Sequence, residues 1–104
     1  MAVMALFRSA KVDQALYDTM MEELGVLRDP PPGALSHVCG FDDQGIYVVD
    51  VWETRADLEA FVTDKLLPVA ARLNLDIEPP VVVDAYKLRT TQGMDLYKLE
   101  LAPG

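Results

Sequence analysis

The sequence predicts an α+β domain of order β-α-β-β-α-β. Two stretches carry apolar residues at spacings of three and four, the period of a helix that buries one face. Between them lie two short runs rich in apolar, β-branched and aromatic residues, separated by a polar loop, which is the pattern of a hairpin. A further β-rich run opens the unit and another closes it. The chain has 104 residues, room for one core and not two. At 51% hydrophobic and 25% charged residues it has a globular composition, which argues against global disorder.

Residues 1–8 read as a buried strand. Residues 10–25 read as a helix, with Val12, Ala15, Leu16, Met20 and Leu24 on one face, Ser9 as N-cap and Gly25 as the stop. Asp29-Pro30-Pro31-Pro32-Gly33 is a connection. Residues 34–41 and 46–53 form the hairpin around Asp42-Asp43-Gln44-Gly45. Thr54 begins the second helix, with Asp57 where a capping box usually has Glu. Leu58, Phe61, Val62, Leu66, Val69, Ala70 and Leu73 supply its apolar face, and Pro68 should kink or split it near Leu67. Residues 81–88 form the last strand.

This order is the ferredoxin-like one: a four-stranded antiparallel sheet with both helices on one face. Val81-Val82-Val83 and Tyr47-Val48-Val49 leave no polar face, so the sheet needs cover on both sides. A second subunit is the economical cover, and a homodimer is expected, with Tyr47 at its interface. Residues 1–89 make up this domain and 90–104 an arm. In the arm, Tyr97, Leu99 and Leu101 alternate with Lys98 and Glu100 as in an edge strand; a frayed terminus is the plainer alternative.

The net charge of −8 and pI near 4.4 argue against nucleic acid and anionic lipid as partners. No stretch approaches the length of a membrane span, and the apolar start lacks the basic segment of a signal peptide, so a cytoplasmic location is the default. One cysteine and one histidine leave no disulfide framework and no usual zinc set. No phosphate-binding glycine loop is present, so neither a metal nor a cofactor is expected.

The run Gly45-Ile46-Tyr47-Val48-Val49-Asp50-Val51-Trp52-Glu53-Thr54, followed by Phe61-Val62, resembles the antibiotic-biosynthesis-monooxygenase-like group of the dimeric α/β-barrel superfamily. The shared feature is a strand ending in Trp-Glu-Thr, with a helical Phe nine residues after the Trp. The resemblance implies two ferredoxin-like subunits packed sheet to sheet, with a ligand cavity between sheet and helices. It also implies cofactor-independent oxygenation of aromatic or polyketide-like substrates, as in antibiotic biosynthesis. Small cyclases, isomerases and heme-degrading enzymes share the superfamily. Val48 stands where the quinone-forming oxygenases typically carry Asn. The only histidine lies on a predicted strand, which disfavours heme degradation.

A loop at 42–45 sets Phe41 opposite Ile46, Cys39 opposite Val48, His37 opposite Asp50 and Leu35 opposite Trp52. His37 and Asp50 would then form an acid–base pair in an apolar lining. The carboxylate orients the ring and makes it a better proton acceptor near neutral pH. The plainer alternative is a polar pair that only satisfies itself. The substrate-binding candidates are Trp52, able to stack on a flat ligand, Tyr86 as a hydrogen-bond donor, and Val48, Cys39 and Phe61 as lining. The expected ligand is a small hydrophobic or aromatic molecule. The expected chemistry is oxygenation with His37 as base. A non-oxidative cyclase or isomerase, or a non-catalytic binding dimer, is the alternative.

Overall fold

A computed structural model of the chain describes residues 1–95. Its elements are β1 (Val3–Ser9), α1 (Gln14–Leu24), β2 (Ala34–Asp42), β3 (Gly45–Trp52), α2 (Arg55–Phe61), α3 (Leu67–Arg72) and β4 (Val81–Asp84). The strands form one antiparallel sheet in the order β2-β3-β1-β4. That is the ferredoxin-like α+β arrangement the element order predicts.

Alternation along the strands decides what each face carries. Val3, Ala5 and Phe7 of β1, Ile46, Val48, Asp50 and Trp52 of β3, and Val82 of β4 share the helix side. Val3, Ala5, Trp52 and Leu58 form the central core, with Phe7, Phe61, Val62 and Val82 packed around them. Met20 of α1 and Val69 and Ala70 of α3 are also buried. The opposite face carries Leu6, Val38, Val49, Val51, Val81 and Val83, and none of the described residues covers it.

Several local expectations are corrected. Asp13, not Ser9, caps α1: its Oδ1 accepts from the Leu16 N–H at 2.9 Å. Ser9 is still paired with Ile46 in the sheet and so cannot start a helix. Gly25 ends α1 with φ 67, as its position suggests. The hairpin is tighter than a four-residue loop, since Asp42 and Gly45 are themselves paired across it. Gly45 takes φ 109, and a side chain there would run into the Ser9 carbonyl.

From Ser36 onward the hairpin register is the expected one, but Leu35 does not face Trp52. Ala34 does, because a bulge at Leu35 adds a residue between Ala34 and Ser36. Thr54 caps α2 by accepting from the Asp57 N–H at 3.0 Å.

The second helical segment is split where Pro68 requires it. Over Val62–Leu66 the helix widens, and the Leu67 N–H reaches back five residues to the Val62 carbonyl. Pro68 then sits in the first turn of α3, where its missing N–H and its ring are tolerated.

β4 ends at Asp84 rather than at residue 88. Asp84 pairs with Val3, the first residue of β1, and the Ala85 N–H takes the Ala2 carbonyl at 2.8 Å, after which the ladder has no further partner. Residues 92–95 form a helical turn, and Tyr97, Leu99 and Leu101, which carry the strand pattern expected of the arm, lie outside the described residues.

Candidate functional site

A cavity of about 400 Å³ opens between the helix side of the sheet and α1. That volume suits a small molecule. Its walls are mostly apolar: Phe7, Ile46 and Val48 from the sheet, Met20 and Met21 from α1, Phe61 from α2. The segment that leads from α1 into β2 contributes Leu27, Pro30 and Pro31 at the rim.

The polar wall is a single hydrogen-bonded series. His37 on β2 faces Asp50 on β3, and its Nδ1 lies 2.6 Å from Asp50 Oδ1. The Trp52 indole N–H donates to Asp50 Oδ2 over a longer 3.4 Å. The Tyr17 hydroxyl lies 2.7 Å from His37 Nε2. Asp50 is the one buried charged residue among those described, with its side chain 9% exposed, whereas His37 is 41% exposed at the cavity mouth. A buried carboxylate is costly without donors. Here each oxygen has one, and no buried side-chain polar atom among the described residues lacks a partner. In the neutral ring the network fixes the tautomer: Nδ1–H donates to the carboxylate, and Nε2 accepts from the tyrosine.

Tyr17 was not legible as a site residue from the helix stripe read through Val12, Leu16 and Met20. A different stripe at the same spacing, Tyr17-Met20-Met21-Leu24, lines the cavity. Its ring meets Phe41 edge-on, with centroids 6.0 Å apart and planes at 81°. Burial first, then the adjacent Cys39 thiol and the charges of Cys39, Asp50 and Asp18, push the Tyr17 hydroxyl well above its ordinary ionisation range.

The other candidates divide. Trp52, Val48 and Phe61 line the cavity, and Trp52 and Phe61 pack with ring centroids 5.2 Å apart. Cys39 stands on the same face as His37, half-buried beside Tyr17, but is not one of the residues that line the cavity. Tyr86 is 92% exposed and past the end of β4, so it does not reach the cavity. The strand expected over residues 81–88, which would have carried it, stops at Asp84.

Among the described residues no three of His, Cys, Asp or Glu converge as a metal site, and no helix is long and apolar enough to cross a membrane.

No family model matches the sequence, and no curated protein matches it. Solved structures share the fold. One is assigned as an antibiotic biosynthesis monooxygenase from Chloroflexus aurantiacus J-10-fl, with a TM-score of 0.54 and 16% identity over 86% of this chain and 95% of that one. A second is a point variant of SnoaB, a cofactor-independent oxygenase from Streptomyces nogalater, at 0.56 and 15% over 84% and 93%. A third is MupZ from Pseudomonas fluorescens, at 0.51 and 15% over 97% and 76%. The likeness at these identities is one of fold: the chain has the ferredoxin-like architecture of antibiotic-biosynthesis-monooxygenase-type proteins.

Proposed function

We propose that the chain is a small-molecule enzyme of the cofactor-independent monooxygenase kind, acting on an aromatic or polyketide-like substrate. His37 is its general base and Asp50 orients that base. One observation carries the reading: the hydrogen-bonded His37–Asp50 pair lies in the wall of a mostly apolar cavity. Trp52 and Phe61 supply flat surface for a ring, and Val48 completes the lining.

The chemistry asks for little more. Removing a proton from an electron-rich phenol or enol leaves an anion with electron density on carbon. Oxygen takes electrons from that anion, bonds to the carbon and takes back the proton held by the base, giving a hydroperoxide. Loss of water leaves a carbonyl, so one oxygen atom stays in the product and the other departs as water. The substrate supplies the electrons. A positioned base is worth roughly 10²–10⁴-fold in such a step, and an apolar pocket keeps water from competing for the anion. A non-oxidative cyclisation or isomerisation would draw on the same base and pocket.

A second reading, a non-catalytic binding dimer, is favoured by one feature. Both nitrogens of His37 are already hydrogen bonded, which is all that a purely structural polar series needs. In either reading the uncovered aliphatic face of the sheet is the seat of a second copy of the chain. Tyr47 lies on that face, tied to Arg8 at 2.9 Å and to Asp42 at 2.9 Å.

The test is oxygen uptake by the purified, metal-free protein against a panel of anthrones and hydroquinones, with His37→Ala and Trp52→Phe alongside. Uptake should fall by about 10²-fold or more in His37→Ala while the protein stays folded. Undiminished uptake in that variant would remove His37 as the base. No uptake by the wild type across the panel would remove oxygenation and leave a cyclase or a binding protein.

A further inference from the structure

We infer that Tyr17, rather than His37, is the group that meets the substrate: its hydroxyl passes the substrate's proton to His37, and the cavity takes an uncharged, largely apolar molecule bearing one acidic hydroxyl. The inference rests on the base role given to His37 above.

The first ground is occupancy. His37 Nδ1 is held by Asp50 at 2.6 Å, and Nε2 is held by the Tyr17 hydroxyl at 2.7 Å. No ring nitrogen is left to take a proton directly from a molecule in the cavity. Tyr17, in contrast, lines the cavity from α1 and projects its hydroxyl to the sheet across it. A phenol has one proton and two lone pairs. With the proton given to His37, lone-pair capacity remains for a substrate O–H.

The second ground is that Tyr17 is held in place and held neutral. Phe41 packs edge-on against its ring, and Met20 and Met21, on the same helix face, line the cavity with it. Burial and the neighbouring negative groups disfavour the tyrosinate, so Tyr17 is a poor resting place for charge and a good conduit. The proton balance is then simple. The substrate O–H bond breaks as a new Tyr17 O–H bond forms, and the original Tyr17 O–H bond breaks as His37 gains Nε2–H. The products are a substrate anion and an imidazolium facing the Asp50 carboxylate. Tyr17 is neutral before and after, and its hydrogen bond is reversed, so that it now donates to the substrate anion.

The third ground concerns charge. Among the described residues the only lysine or arginine along the cavity wall is Arg8, and its guanidinium is taken up by Tyr47, 2.9 Å from the hydroxyl and 4.3 Å over the ring. A ligand carrying a carboxylate or phosphate would find no free cation among those residues, and would meet Asp50 and a chain of net charge −8. The ligand must arrive neutral and become an anion only when Tyr17 takes its proton.

Para-nitrophenol tests this without knowledge of the natural substrate, because it is a neutral phenol whose anion absorbs visible light. It is titrated with the intact protein at a pH where the free probe is mostly protonated. The wild type should bind it and raise its phenolate band. Tyr17→Phe should still bind the probe but lower the bound phenolate fraction by about tenfold or more, and His37→Ala should do the same. If the probe is ionised in Tyr17→Phe as in the wild type and lost only in His37→Ala, the relay is overturned while His37 stands as the base. If the wild type leaves the probe unbound or un-ionised, the base itself is removed and both readings go with it. Should Tyr17→Phe not fold, the rate of probe ionisation in mixtures of H2O and D2O decides on the wild type alone. A curved dependence on deuterium content means two protons in flight, and a linear one means direct transfer and overturns the relay.

Discussion

The two faces of the sheet are built from the same strands, and they partition polarity in opposite senses. The helix side buries a carboxylate: Asp50 sits among Val3, Ala5 and Trp52, held by His37 and the indole N–H. The other side leaves aliphatic residues bare, with Val38 and Val81 61% and 63% exposed. For a lone subunit both arrangements run against solvation, which favours charge outside and valine inside. The buried charge is offset by dedicated donors and borders the cavity. The bare valines have no offset among the described residues, and a contiguous exposed apolar patch of this kind is what an association surface looks like. One face therefore holds the chemistry proposed here, and the other holds the surface proposed for a second copy.

The sharpest way to break this comparison is to place the same charge on adjacent residues of β1. Ala5 is 0% exposed on the helix side, and Leu6 is 37% exposed on the other. Ala5→Lys should abolish cooperative folding, since a fully buried alanine site has no room for a long side chain and its charge would compete with His37 and Trp52 for Asp50, and circular dichroism melts would show it. Leu6→Lys should stay folded and lose self-association, read as a halved mass in sedimentation. A Leu6→Lys protein that unfolds like Ala5→Lys would mean the two faces do not differ as described.

Asp50→Asn is the next largest expected effect. It keeps the shape but removes the charge that both His37 and Trp52 donate to. Hydrogen bonds to a charged group are worth about 1.5–3 kcal/mol, so a loss of that order in chemical denaturation is expected, with oxygen uptake falling alongside and the sedimentation mass unchanged.

The smallest effect is alkaline. Tyr17 holds its proton more tightly in the folded state than its ordinary value near 10. Its contribution to stability is complete below that pH and is lost as pH rises beyond it, because the unfolded chain releases the proton first. The wild-type midpoint should thus fall more steeply above about pH 10 than that of Tyr17→Phe. Tyr47 is shifted the same way, chiefly by its hydrogen bond to Asp42, so a residual slope should persist in the variant. Equal slopes would mean that Tyr17 is not buried against the sheet as described.

What was legible from the chain was what repeats or punctuates locally. The apolar, β-branched runs of the strands, the helix stripes, Gly25, Thr54 and Pro68 each act within a few residues, so the element order followed from them. The loop length aligned His37 with Asp50, because hairpin register is set by the turn. Leu35 slipped from that register because a bulge depends on what the strand's far end must reach, not on the turn. Tyr86 was misplaced because β4 lasts only as long as β1 does.

The partner of His37 Nε2 is the largest thing the sequence could not supply. Tyr17 lies 20 residues away on an element that shares no ladder with β2, and its hydroxyl meets the ring only once α1 packs across the sheet. The elements, their order and the cross-strand pairing of His37 with Asp50 could be read from the chain, because those obey short-range periodicity and turn geometry. Only the tertiary structure decided which helix face turns toward the sheet, and hence the cavity and the hydroxyl that closes the series. Those depend on the orientation of one packed layer on another, which no local pattern encodes.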